Sequence, residues 1–177
     1  IPTGEQRLAQ LKDLLDKTKK PYHMAIGNHD RLPGSVRDGK NDFQAFEKTF
    51  GKTYYSFAHK GCTFIVLNSV EVENNQYSVK SEQLNWLKEL LSKTPQEQPI
   101  VVVSHVPFLS VYYPVLEGRY TGADTFQNQK QVFDLFEKHN LKLVLQGHMH
   151  LYEEIKVKGV QFITAGAVSG NWWHGAF

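Results

Sequence analysis

The chain has 177 residues, 41% hydrophobic and 21% charged, the composition of an ordinary globular domain with enough apolar material for a sizeable core. A net charge of +2 with scattered basic residues creates no demand for nucleic acid or an anionic membrane as partner. The single cysteine, Cys62, excludes an intrachain disulfide, and no run of about 18 apolar residues is present to span a membrane.

In chain order, Thr3 followed by Gln6 reads as a capping box, and Leu8, Leu11 and Leu15 make a helical stripe through about Lys19. Lys17, Lys19 and Lys20 suit the negative end of that helix, which Pro21 terminates. Tyr22 to Ile26 is predicted as a short buried strand running into Gly27-Asn28-His29-Asp30. Arg31 to Gly39 reads as a loop, and Asn41 to Phe50 as a short helix with Phe43, Phe46 and Phe50 on one side. Strands follow over Thr53 to Ala58 and Cys62 to Asn68, with His59-Lys60-Gly61 as the turn between them. Cys62 opens an apolar run, which suits a buried, inert thiol.

Ser81 is the predicted N-cap of a helix whose stripe is Leu84, Leu87 and Leu91, widened by Trp86 and Leu90. The continuous apolar run Pro99 to Val103 is a fully buried strand ending at Ser104-His105. Val106 to Thr125 is long for a connection within a compact domain, and such loops are often functional. Val132, Phe133, Leu135 and Phe136 mark a third helix. Leu141 to Leu145 is another buried strand, ending at Gly147-His148-Met149-His150. Two last strands, Tyr152 to Val157 and Val160 to Thr164, lead into Ala165-Gly166-Ala167.

Three buried strands therefore each end in a polar cluster, and ligands in layered α/β proteins bind beyond the carboxyl ends of strands. Singly, each cluster has an ordinary explanation. Gly27 to Asp30 can be a turn, His105 a satisfied histidine, and His148 with His150 a chance pair that faces one side only if the backbone is extended. Together they supply imidazole, amide oxygen and carboxylate, the donor set of mixed metal sites. Two ions about 3.5–4 Å apart can hold a hydroxide between them and clamp phosphoryl oxygens, while a separate histidine protonates the leaving oxygen.

The ordered GNHD (Gly27 to Asp30), SH (Ser104-His105) and GHMH (Gly147 to His150) resemble the calcineurin-like metallophosphoesterases over nearly the whole chain. The closing Ala165 to Trp173 is similar to a bacterial branch of that superfamily. The resemblance implies one α/β domain over residues 1–177, a layered sandwich of mixed β-sheets flanked by helices. It implies hydrolysis of phosphate monoesters or diesters with two Mn, Fe or Zn ions. Asn28, His105 and His148 would bind the second metal and His150 the first. His29 would act on the substrate as acid or transition-state stabiliser, with Asp30 holding it protonated. The long loop after His105 is expected to line the substrate pocket through Tyr112, Tyr113, Arg119 and Tyr120, with Arg119 pairing a phosphate.

The chain departs from the family pattern upstream. The family's Asp-x-His and Gly-Asp strand ends have no counterpart before Gly27, since Glu5, Asp13 and Asp16 lie on the first helix and His23 lies within the strand. The expectation is an incomplete domain, truncated at its N-terminus and with its end at Phe177 open to the same reading, that holds one ion or none. The chain begins at Ile1 and shows no signal peptide, so the compartment stays open, a periplasmic or secreted bacterial origin included. Two other readings stand beside this one. His105, His148 and His150 could form a mononuclear three-histidine zinc site, or the chain could be a degenerate, non-catalytic binding module. His59 and His139 read as surface residues at a hairpin and a helix end, while Trp172, Trp173 and His174 could be lid or core.

Overall fold

In the computed structural model, the residues described are 4–31, 42–119 and 124–167. The continuous apolar runs become the centre of a six-stranded mixed sheet, because strands covered on both faces need no alternation. The first two helices are α1 (Gly4–Lys17) and α2 (Gln44–Phe50), which pack together ahead of the hairpin β1 (Tyr55–His59) and β2 (Cys62–Val66). A small hairpin, β3 (Glu71–Glu73) and β4 (Gln76–Ser78), precedes α3 (Ser81–Lys93) and β5 (Ile100–Val103). Then come α4 (Tyr112–Glu117), α5 (Gln129–Asp134), β6 (Leu141–Gln146), β7 (Glu153–Val157) and β8 (Val160–Thr164). The sheet order is β1-β2-β5-β6-β8-β7. Strands β2, β5, β6 and β8 run parallel, and β1 and β7 close the two edges antiparallel.

The parallel strands put their carboxyl ends on one rim, which is what positions the site. Ile65, Ile100, Val102 and Val144 are fully buried in the sheet, and α3 covers it with Leu84, Leu87 and Leu91, the stripe predicted from spacing. Phe126, Val132 and Phe162 complete the same core.

Several boundaries differ from the sequence reading, each for a physical reason. Tyr22 to Ile26 forms no strand. A side chain takes the hydrogen bonds a neighbouring strand would supply: the Met24 N–H donates to Tyr55 Oη at 2.9 Å, and Tyr55 Oη donates to the Met24 carbonyl at 3.0 Å. His23 stacks on Phe57, ring centroids 3.4 Å apart, and Ile26 is fully buried. Helix α1 stops at Lys17 because Lys19 enters the left-handed region (φ 55°), and only Leu8 of its stripe is buried while Leu11 and Leu14 are exposed. Thr3 of the capping box lies outside the described residues. Lys80, not Ser81, is the N-cap of α3, without a side-chain cap bond. The long connection after His105 contains the short helix α4, and Cys62 is half-buried rather than buried.

The β3–β4 hairpin escaped the sequence reading. Its turn is Asn74-Asn75, both with positive φ (50° and 61°). Asparagine tolerates that conformation better than any residue except glycine, so Asn-Asn between Val72 and Tyr77 was a usable signal. The β1–β2 and β7–β8 turns use Lys60-Gly61 and Lys158-Gly159, again with positive φ at both positions. A lysine there is strained by about 1 kcal/mol. Replacing Lys60 and Lys158 with Asn is expected to raise unfolding free energy by several tenths of a kcal/mol each. Gly61→Ala, with open space around the new methyl, is expected to lower it by about 1–2 kcal/mol through backbone strain alone. Urea titration of the variants checks both signs.

Candidate metal and phosphate site

Beyond the carboxyl ends of the parallel strands, three loops meet. The first is Gly27 to Asp30, a tight turn closed by the Asp30 N–H donating to the Gly27 carbonyl at 3.1 Å. Its Asp30 Oδ2 accepts from the Gly27 N–H at 2.8 Å. The Asp30 carboxyl lies above the usual carboxylate range because burial disfavours its charge, an effect the Gly27 N–H and the neighbouring His29 partly offset. His29 is exposed at the mouth of the site. The hydrogen bond of the Asp30 carboxyl thus goes to the backbone of its own turn.

The second loop leaves β5 at Ser104, whose N–H still bonds the Leu145 carbonyl at 3.0 Å. His105 follows, and its Nε2 lies 2.8 Å from Asn28 Oδ1. An amide oxygen only accepts, so a hydrogen bond here uses the tautomer with its proton on Nε2, and the other tautomer would turn the Nε2 lone pair toward the same space. His105 is pushed down to about 3, first by burial and then by His148, His29 and His150, so it is neutral at any ordinary pH. Gly27 permits this approach: a Cβ there would meet Asp30 Oδ2 and His105 Cε1, each at 3.3 Å.

The third loop leaves β6. The Gly147 N–H donates to the His105 carbonyl at 3.0 Å, which locks the second and third loops together. The His148 ring stands edge-on to His105, centroids 5.3 Å apart, and edge-on to Tyr77 at 5.5 Å. Met149 N–H bonds the Gly147 carbonyl at 2.8 Å, and both His148 (φ 70°) and His150 (φ 55°) are left-handed. The backbone here is bent, so the same-side argument for a spacing of two, which assumed an extended chain, does not apply. His150 is half-buried, and its Nδ1 is buried without a hydrogen-bond partner.

The structure thus brings Asn28, His105 and His148 together. Two imidazole nitrogens and an amide oxygen suit Mn, Fe or Zn. The 2.8 Å between Asn28 Oδ1 and His105 Nε2 is close to the ~3 Å between adjacent donors on one ion. These residues fit a metal. Among the described residues, however, no group of three or more His, Cys, Asp or Glu side chains converges. The side chain nearest His105 besides His148 is thus the Asn28 amide, and His150 does not join them in one cluster of three histidines.

The loop after His105 behaves differently from the other two. Arg119 pairs with Glu117 and lies over the Tyr113 ring, 4.3 Å from its centroid, while Tyr112 stands edge-on to Tyr113. The described contacts of Arg119 are thus within its own loop. Tyr120 and the segment 168–177, with Trp172, Trp173 and His174, lie outside the described residues. Arg31, read from sequence as loop, reaches the site instead. Its Nε donates to the Asn28 carbonyl at 3.3 Å, and its guanidinium lies 5.8 Å from the Tyr77 ring centroid. A cation directly after Gly-Asn-His-Asp was the available signal.

A mixed sheet thus gathers two histidines and an asparagine at the carboxyl rim of its parallel strands. Comparison with known proteins carries this further: the calcineurin-like phosphoesterase family matches residues 3–152, and the chain belongs to that family. A human relative, serine/threonine-protein phosphatase CPPED1, is 32% identical over 94% of this chain and 54% of its own length. Purple acid phosphatase 20 of Arabidopsis thaliana, called probable, is 26% identical over 87% of this chain and 37% of its own. The chain therefore spans about half the length of the curated CPPED1 relatives it matches. Among solved structures, the fold is shared with a purple acid phosphatase from yellow lupin (TM-score 0.65, 16% identity, 92% of this chain and 34% of that one). It is also shared with a dimetal phosphatase from Danio rerio (TM-score 0.60, 16% identity, 94% and 69%). These relatives are animal and plant proteins and lend no support to the bacterial placement. No helix among the described residues is long and apolar enough to cross a membrane.

Two outcomes are expected. Without metal, unfolded histidine binds a proton near pH 6.5 while folded His105 resists it to about 3, so stability falls as pH drops through that window. His105→Gln should flatten the dependence in thermal melts between pH 4 and 7. Gly27→Ala should displace the His105 ring and weaken zinc binding several-fold in calorimetric titration, with little change in melting temperature.

Proposed function

We propose that this chain carries part of the metal centre of a phosphate-ester hydrolase, together with its proton donor. The observation that supports this most is the approach of Asn28 Oδ1 to His105 Nε2 at 2.8 Å, beside the His148 ring, at the carboxyl rim of the parallel strands. Asn28, His105 and His148 would hold one ion and His150 the other. Two such ions, when bound, supply a nucleophile at neutral pH and neutralise charge on the phosphoryl oxygens.

The remaining steps belong to the chain's own groups. Burial keeps His105 neutral, so Nε2 can offer its lone pair in the tautomer that carries the single ring proton on Nδ1. The Gly147–His105 backbone bond holds two donor-bearing loops in register. His29, exposed beside them, is placed to give a proton to the leaving oxygen. Arg31, anchored to the Asn28 carbonyl, is placed to contact a phosphate oxygen. Tyr112, Tyr113, Arg119 and Tyr120 are proposed as the outer wall of the substrate pocket. The relatives' names favour a phosphomonoester, with phosphoserine or phosphothreonine in a protein as the first substrates to test.

Full-length protein loaded with Mn, Fe or Zn is expected to hydrolyse p-nitrophenyl phosphate and a phosphoserine peptide, and to lose activity to a chelator and in His105→Ala. No turnover with any metal on mono- or diesters would leave the binding-module reading standing. His29→Gln should cost about 10²–10⁴-fold in kcat on the phosphoserine peptide. The loss on p-nitrophenyl phosphate, whose leaving group needs no proton, should be much smaller.

A further inference from the structure

Where β5 ends at Val103 the chain leaves the sheet, and its backbone groups need partners other than a strand ladder. Side chains provide them. The Val106 N–H donates to Ser69 Oγ at 2.8 Å. Gln146, the last residue of β6, does more: its Oε1 accepts from the Phe108 N–H at 3.0 Å, and its Nε2 donates to the Leu109 carbonyl at 2.5 Å. The same Nε2 donates to Thr164 Oγ1 at 2.9 Å, at the end of β8. Gln146 is only 4% exposed.

We propose that Gln146 is a positioning residue of the metal centre: its carboxamide ties the loop carrying His105 to the loop carrying His148, and so sets the spacing of ligands borne by different strands. The proposal rests on the metal-site reading given above. Gln146 directly precedes Gly147-His148, and Phe108 and Leu109 lie three and four residues beyond His105. One planar group thus spans both loops. Its orientation is forced, because a backbone N–H can only donate and a carbonyl can only accept. Glutamate keeps the acceptor but, when ionised, lacks the donor. Leucine supplies neither. The amide also satisfies the Phe108 N–H and Leu109 carbonyl, which an apolar side chain would leave unpaired, while β6 itself is held in the sheet by its backbone ladders to β5 and β8.

The test compares the full chain with Gln146→Leu and Gln146→Glu, using Thr164→Val and Val144→Ala as controls. Zinc affinity is measured by calorimetry, and histidine imidazole resonances by NMR without metal. Gln146→Leu is expected to weaken zinc binding about tenfold and to shift the His105 and His148 imidazole signals. Gln146→Glu should show a smaller loss, and it carries the test if the leucine variant does not fold. Thr164→Val, which removes the Gln146 bond to β8 and the long one from Thr164 Oγ1 to Glu153 but neither bond to the His105 loop, should stay within twofold of the parent. Val144→Ala, a cavity in the same strand, should lower the melting temperature without changing affinity. Zinc affinity within twofold of the parent in both Gln146 variants overturns the proposal, as does an equal loss in Val144→Ala. Should the parent itself bind no zinc, the metal reading fails. The metal-free spectra then decide Gln146, and unchanged imidazole signals in both variants overturn it.

Discussion

The hydrogen bond from the Gly147 N–H to the His105 carbonyl is the contact on which the site depends. Parallel strands β5 and β6 deliver their ends to one rim, but the ladder stops there, and two loops leave the sheet side by side. This backbone bond continues the strand pairing one step beyond the sheet. His105 and His148 therefore inherit the precision of the sheet and are not left to loop mobility. Asn28 then approaches His105 from the first loop, and Tyr77 meets the His148 ring from the β3–β4 hairpin.

Around this contact the interior is polar by design of its hydrogen bonds. Asn68, Ser69, Gln83 and Gln146 are buried at or near the ends of the strands and hydrogen-bonded there through their side chains. Gln83 on α3 exchanges two bonds with the Asn68 backbone, each at 2.9 Å, and Ser69 serves the residue after His105. Buried amides that answer both a donor and an acceptor are costly when unmet and rigidifying when met. The apolar core below supplies the stability, and this polar layer supplies the geometry.

Much of the architecture was legible because buried parallel strands have a simple signature. Ile100–Val103 and Leu141–Gln146 announced themselves as apolar runs, and Leu84, Leu87 and Leu91 as a helical stripe. The ordered clusters at the strand ends correctly brought Asn28, His105 and His148 to one place. What stayed hidden depends on partners. Tyr22 to Ile26 has the composition of a strand, yet it finds a tyrosine hydroxyl in place of a ladder. The same limit hid Arg31 and Gln146, whose importance lies in what they touch across the fold. The rule of alternation failed at His148 and His150 because it presumes an extended backbone, and turn geometry replaces it there.

Those two left-handed histidines set chemistry against durability. An L-residue with a branched ring gains nothing from positive φ, and asparagine or glycine would rest there with less strain. A chain selected only for resistance to heat would drift away from imidazole at both positions. Keeping it means accepting a tense segment at the lip of an otherwise well-bonded sheet, so this lip is where the fold trades robustness for reactivity.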